Sequence, residues 1–158
     1  MSATNNSKFR SNCSLSCSLD VFGDKWSLLI IRDMIFFQKK TFKEFFSSPE
    51  KIASNILSSR LKSLEEIGII SKNKITDNKK TNIYKLTNSG LKLIPFFLEM
   101  TIWSKDNIQI FKENPEQVEF LIQKAIGLDK SFTFSINSKQ DYIDNIEKIY
   151  LESFNNTH

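Results

Sequence analysis

One stretch limits what this chain can become: Ile52 to Leu86, IASNILSSRLKSLEEIGIISKNKITDNKKTNIYKL. Ile52, Ile56, Leu57, Leu61, Leu64 and Ile67 recur at three- and four-residue spacing, which lays them on one stripe of an α-helix. Between them stand Ser54, Asn55, Ser58, Ser59 and Lys62, small or polar and free of acid. Glu65 and Glu66 come only in the last turn, and Gly68 supplies the left-handed residue that ends a helix. Ile69, Ile70 and Ile75 begin a strand. Asp77, Asn78, Lys79, Lys80, Thr81 and Asn82 form a basic turn, and Ile83, Tyr84 and Leu86 return as the partner strand.

A helix backed by leucine and faced with small polar side chains, followed by a hairpin with a lysine tip, is the pattern of a winged helix-turn-helix. Such a helix enters the major groove of duplex DNA, and the hairpin reaches the neighbouring phosphates or minor groove. Ser54, Asn55, Ser58, Ser59 and Lys62 are therefore the expected groove face, and Lys79, Lys80 and Thr81 the expected wing. Asparagine reads adenine through two hydrogen bonds, while serine and lysine serve bases or phosphates. Arg60 lies nearer the core side of the helix, where bracing the fold and pairing with an acid are both open.

Charge agrees with this placement. The chain of 158 residues has a net charge of +4, but the sum hides a division. Residues 39–92 hold 11 Lys and 1 Arg against 5 acids, a net +7, whereas residues 113–158 hold 4 Lys against 8 acids, a net −4. Positive charge gathered on the reading stretch is the footprint of a nucleic-acid binder. A solvated surface in a lysine-rich chain gives the same sum, so the coincidence of charge with the helix and hairpin pattern carries the reading.

The remaining segments build a mainly α domain around that small hairpin. A first helix is expected at about Ser14 to Phe22, with Leu15, Leu19 and Phe22 on one face. Gly23 breaks it. Asp24 caps a second helix, Lys25 to Phe36, apolar around most of its circumference and so the central one, with Trp26 as a core anchor. Thr41 caps a third, Phe42 to Ser47, with Phe42, Phe45 and Phe46 inward, and Ser47-Ser48-Pro49 makes the turn. The reading helix starts near Ala53, a poor cap, so Ser54 or Asn55 is expected in that role. Thr87 to Gly90 opens one long helix to about Phe111, with Pro95 in its first turns and more apolar surface than its own domain needs. Beyond it, a helix from Glu116 to Ile126, a strand from Lys130 to Asn137 and a last helix from Asp141 to Phe154 are expected. The last is amphipathic through Tyr142, Ile143, Ile146, Ile149, Tyr150 and Phe154. The organisation is then a flexible start at 1–12, a DNA-binding and dimerisation domain at 13–112, and an acidic, helical extension at 113–158.

Other classes find little footing. His158 is the sole histidine, so no histidine-based triad or metal cluster is available, and four scattered glycines build no phosphate loop. The chain reads as no enzyme, with no cofactor and no metal. The first twelve residues lack the apolar core of a signal peptide, and no run approaches the roughly 18 apolar residues of a membrane span. Two cysteines fit a reducing compartment, and the cytoplasm is the expected location. Cys13 and Cys17 share a helix face without the spacing of a CxxC redox pair; a sensing role and two inert thiols both remain open. The competing non-enzymatic reading is a protein-interaction module on the same scaffold, with no specific DNA reading.

CSLSCSLDVFGDKWSLLIIRDM, KKTFKEF, IASNILSSRLKSLEEIGII, YKLTNSGLKLIPFFLEM and the following Trp103 together resemble the HxlR-type winged helix-turn-helix transcriptional regulators. The resemblance runs from about Cys13 to Asp106. It implies a dimeric bacterial or archaeal regulator whose N-terminal and long C-terminal helices form the dimer. It also implies a reading helix from Ala53 to Glu66 and a wing around Asn78 to Thr81, and the symmetry of such a dimer predicts a palindromic operator. Cys13 stands where many members carry a cysteine ahead of the first helix, which some use to sense oxidants or electrophiles. Cys17 is extra to the pattern, and the segment after about Phe111 exceeds the usual family length, so the effector, oxidant or small molecule, stays open.

Overall fold

The computed structural model describes residues 9–74, 81–114 and 139–155. Helix α1, Ser14–Phe22, precedes α2, Lys25–Phe37, and Asp24 caps α2 by accepting from the amides of Trp26 and Ser27. Helix α2 is the central element: Ile30, Ile31, Met34, Ile35 and Phe36 are buried, and Trp26 packs half-buried against the same core. Helix α3, Phe42–Phe46, opens with a full capping box, in which the Thr41 hydroxyl accepts from the Glu44 amide and the Glu44 carboxylate accepts from the Thr41 amide. Its inward residue is Phe45. Phe46, expected inside, is half-exposed and stacks on Phe42 at 6.2 Å, because a five-residue helix turns one narrow face to the core.

Helix α4, Ser54–Glu66, buries Leu57, Leu61 and Leu64, each worth about 1.5–3 kcal/mol when removed from water. The N-cap position falls to Ala53 rather than to Ser54 or Asn55. Both stand inside the first turn, and no side chain caps the helix. Gly68, at φ +83°, turns the chain out of α4 as expected. Strands β1, Ile70–Lys74, and β2, Asn82–Leu86, pair antiparallel with Ile70 opposite Leu86 and Lys74 opposite Asn82. The approach to α3 joins their sheet through a bridge between Thr41 and Ile83 and a 2.7 Å bond from the Tyr84 amide to the Lys40 carbonyl.

The single helix expected from Thr87 to Phe111 is three pieces: α5, Asn88–Leu91, α6, Ile94–Asn107, and α7, Gln109–Glu113. Pro95 sits in the first turn of α6. It brings no amide for the preceding turn, and its ring excludes the carbonyl four residues back, so the helix restarts after Lys92-Leu93. Ile108 adopts an extended conformation and separates α7. The helix expected at Glu116 to Ile126 and the strand at Lys130 to Asn137 lie outside the described residues. So does Ile75, placed in the first strand.

The last helix, α8, spans Lys139–Asn155 and packs against α2 and α6. Ile146 and Tyr150 are fully buried in the same core as α2 and α4. The Tyr150 hydroxyl accepts a 2.6 Å bond from the Leu86 amide of β2. Lys40 donates to the Ser153 carbonyl, and the ammonium groups of Lys40 and Lys85 lie 4.3 and 4.9 Å from the Phe154 ring. No helix among the described residues is long and apolar enough to cross a membrane.

Candidate nucleic-acid interface

The two sides of α4 are chemically separate. Leu57, Leu61 and Leu64 face the core, while Ser54, Asn55, Ser58, Ser59 and Lys62 are all exposed on the opposite side. Lys62 has one acid in reach, Glu66 at 3.7 Å one turn on, a solvated pair that restrains it little. With no side-chain cap at Ala53, the first amides of α4 are left to water or to an incoming phosphate oxygen. Of the wing residues, Thr81 is half-buried at the entry to β2, and Lys79 and Lys80 lie outside the described residues. The exposed lysines of β1, Lys72 and Lys74, extend the basic edge towards the turn. They were legible as part of the local charge excess, but not as individual positions.

Arg60 braces the fold. Its Nε lies 3.3 Å from Asp24 Oδ1, an ionic contact that lacks hydrogen-bond alignment, and it ties α4 to the cap of α2. Burial alone would raise the Asp24 carboxyl. Hydrogen bonds from Ser27 and Trp26, together with the Arg60 charge, outweigh it and hold the group below the ordinary aspartate value.

A second set of charges fixes the turn into α4. Asp33, inside the apolar run of α2, is 2 % exposed. Its Oδ1 accepts from Arg32 Nη2 at 2.6 Å and Nε at 3.0 Å; its Oδ2 accepts from Lys39 Nζ at 2.7 Å and from Ser48 Oγ at 2.5 Å. Arg32 also donates to both carboxylate oxygens of Glu50, at 2.5 and 3.1 Å. The Arg32 hydrogen bonds hold Glu50 below the usual glutamate value. Burial opposes charge on Arg32, but its bonds to Glu50 and Asp33 prevail and keep its pKa raised. Two acids and two bases thus anchor Ser48 and Glu50, the residues that lead into α4, to the central helix.

The cysteines belong to the start of α1. Both are free: Cys13 is exposed at the N-cap of α1, and Cys17, half-buried, donates from Sγ to the Ser11 carbonyl at 3.3 Å. Arg10, near Cys13 in sequence, is engaged with Asp20 at 2.5 Å, and its bonds hold that carboxyl below its ordinary value.

An exposed helix with a leucine back and a polar face, two short helices ahead of it and a hairpin behind, matches the family model for HxlR-like helix-turn-helix proteins over residues 21–121. The chain belongs to that family. It is 30 % identical over 103 residues to the HTH-type transcriptional regulator YybR of Bacillus subtilis strain 168, covering 65 % of this chain and 82 % of that one. It is 30 % identical over 90 residues to the HTH-type transcriptional regulator YodB of the same organism, covering 57 % and 80 %. Among solved structures, the redox regulator HypR in its reduced form superposes with a TM-score of 0.55 at 28 % identity, covering 64 % of this chain and 99 % of that one. This HxlR-type protein is accordingly a DNA-binding transcriptional regulator with a winged helix-turn-helix. Helix α8 lies beyond the matched residues, and the docking of Tyr150 under β2 is a feature the family pattern did not supply.

Proposed function

We propose that this HxlR-type regulator binds a palindromic operator as a homodimer. In this reading α4 lies in the major groove, and Lys79, Lys80 and Thr81 lie on the adjacent backbone or minor groove. The observation that carries the reading is the exposure of Ser54, Asn55, Ser58, Ser59 and Lys62 on one face of a helix whose other face is core. Dimerisation is supported by a second surface. Leu15 and Leu19 on α1 are 68 % and 53 % exposed, and Phe96, Met100 and Trp103 on α6 are exposed too. Phe22 and Phe96, 6.0 Å apart, join the two helices into one apolar patch. Two-fold symmetry then sets half-sites about 34–36 Å apart, or a multiple of that spacing.

Redox input is the effector reading that Cys13 supports, being free and exposed at the start of α1, next to the same patch. HypR, a redox regulator by its name, is among the similar structures. The deciding experiment is selection of bound fragments from a random DNA pool by the reduced protein, repeated after mild peroxide. A palindromic motif is expected, and its loss or gain on oxidation assigns the input to the cysteines. No enriched motif in either state sinks specific DNA reading and favours a protein-interaction module.

The wing contributes through charge. The Lys79→Ala, Lys80→Ala double variant is expected to bind every DNA sequence more weakly. The slope of log affinity against log salt should shrink by roughly 0.9 for each phosphate that the wing no longer neutralises. Equal slopes for the variant and the parent, measured by fluorescence anisotropy across a salt series, remove the wing from the phosphates.

A further inference from the structure

A cavity of about 710 Å³ opens between α2 and the neighbouring face of α6, with Phe111 of α7 also in its wall. Its size falls within the range of small-molecule sites, roughly 300–1,000 Å³. Phe36, Phe37, Phe97 and Phe111 supply aromatic walls. The charges at its edge are Arg32, Asp33, Lys39 and Glu50, and they are mutually satisfied. Arg32 is held by Asp33 and Glu50, and Lys39 by Asp33 and Ser48. An anion would have to pull a base from its acid, and a cation the reverse, so a charged guest loses about what it gains. Thr101 and Ser104 also line the cavity, and each hydroxyl donates its hydrogen to a carbonyl of its own helix, at 2.9 and 2.8 Å. What each hydroxyl has left is acceptor capacity.

We propose that this cavity binds an uncharged aromatic molecule carrying one hydrogen-bond donor, and that its occupancy sets the affinity for DNA. The second half rests on the regulator reading above. The lining explains the coupling. Pro49 and Glu50 belong to the turn that leads into α4, so a guest touches the residues that aim the reading helix. On α6, Phe97, Met100, Thr101 and Ser104 line the cavity, and Met100 also belongs to the adjoining exposed stripe with Phe96 and Trp103. One guest therefore contacts both the support of the reading helix and the back of the patch proposed for dimerisation.

The test uses a matched pair of fluorescent probes, the uncharged amine N-phenylnaphthylamine and its sulfonated analogue anilinonaphthalene sulfonate, titrated into the full chain without DNA. The uncharged probe is expected to saturate at one per chain and to bind at least about tenfold more tightly than the sulfonate. Thr101→Trp, which fills the cavity, should weaken it at least about tenfold, with Ser104→Phe as a second filling variant. A circular-dichroism melt shows that each variant folds. Absence of saturable binding, equal affinity for the sulfonate, or folded filling variants that bind as the parent does each overturn the site. Binding that falls as protein concentration drives self-association overturns it too, since a second copy then occupies the cavity. Operator affinity is measured separately with and without the saturating uncharged probe, and a change of at least about threefold is expected. Bound probe with unchanged operator affinity overturns the coupling, whereas absence of any operator defeats the regulator reading and leaves the binding result standing.

Discussion

Replacing Asp33 by Ala is expected to destabilise the protein by about 3–5 kcal/mol, the usual cost of removing one partner from a buried ion pair. The reason is asymmetry. The intact cluster gains little, because Asp33, Lys39 and Arg32 all left water to form it. Once the carboxylate is gone, the Lys39 ammonium keeps one hydroxyl, Ser48, and only the through-space attraction of Glu50, which Arg32 also holds. Lys39 side-chain exposure is 18 %, too little for water to replace the missing carboxylate fully. Asp33→Asn preserves shape and separates charge from packing. It should recover part of the loss, because its side-chain oxygen still accepts from Lys39 and Ser48. Urea unfolding of the three proteins measures the effect. A loss below about 1 kcal/mol for the alanine variant would place Asp33 among solvated surface pairs, against its burial. The same variant should lower operator affinity at temperatures where it remains folded, since Asp33 and Arg32 hold Ser48 and Glu50 in the turn that leads into α4.

The sequence announced helix α4 because periodicity is local. Leu57, Leu61 and Leu64 repeat within thirteen residues, and the polar positions between them can face only outward. Caps were legible for the same reason: Asp24 and Thr41 sit beside the amides they serve. Local pattern runs out when the partner is distant. One acid within IIRDMIFF signalled that something must neutralise it, yet nothing in the pattern named Ser48, fifteen residues on, or the role of Glu50 in holding Arg32. Arg60 was ambiguous until Asp24 of another helix was seen beside it. The break before α6 was a matter of weighing Pro95: its position near a helix start was clear, but the two residues of turn ahead of it depend on how α5 packs.

Tyr150→Ala should cost about 3–5 kcal/mol, the range for losing a buried aromatic ring. The amphipathic pattern of the last helix showed that it buries a face, not what it buries it against. Tyr150 is 1 % exposed between α2, α6 and the hairpin, and its ring meets that of Phe154 at 5.3 Å. Tyr150→Phe isolates the hydroxyl. Without it the Leu86 amide has no acceptor in a buried site, which costs about 1–3 kcal/mol. A pH signature separates the two contributions. Burial pushes the Tyr150 phenol up to about 12 from an ordinary 10.0, with the Leu86 bond opposing that rise. In the window between those values the unfolded chain has released the proton and the folded chain has kept it. The stability contributed by this group is therefore complete below pH 10 and declines as pH rises towards about 12, by roughly 2–3 kcal/mol in all. Tyr150→Phe should lose that share of the alkaline decline while retaining any contribution from the other tyrosines. A wild-type chain whose stability is level over this window, or an alanine variant within about 1 kcal/mol of it, would mean that α8 is undocked in solution and that the hairpin is supported by the winged helix alone.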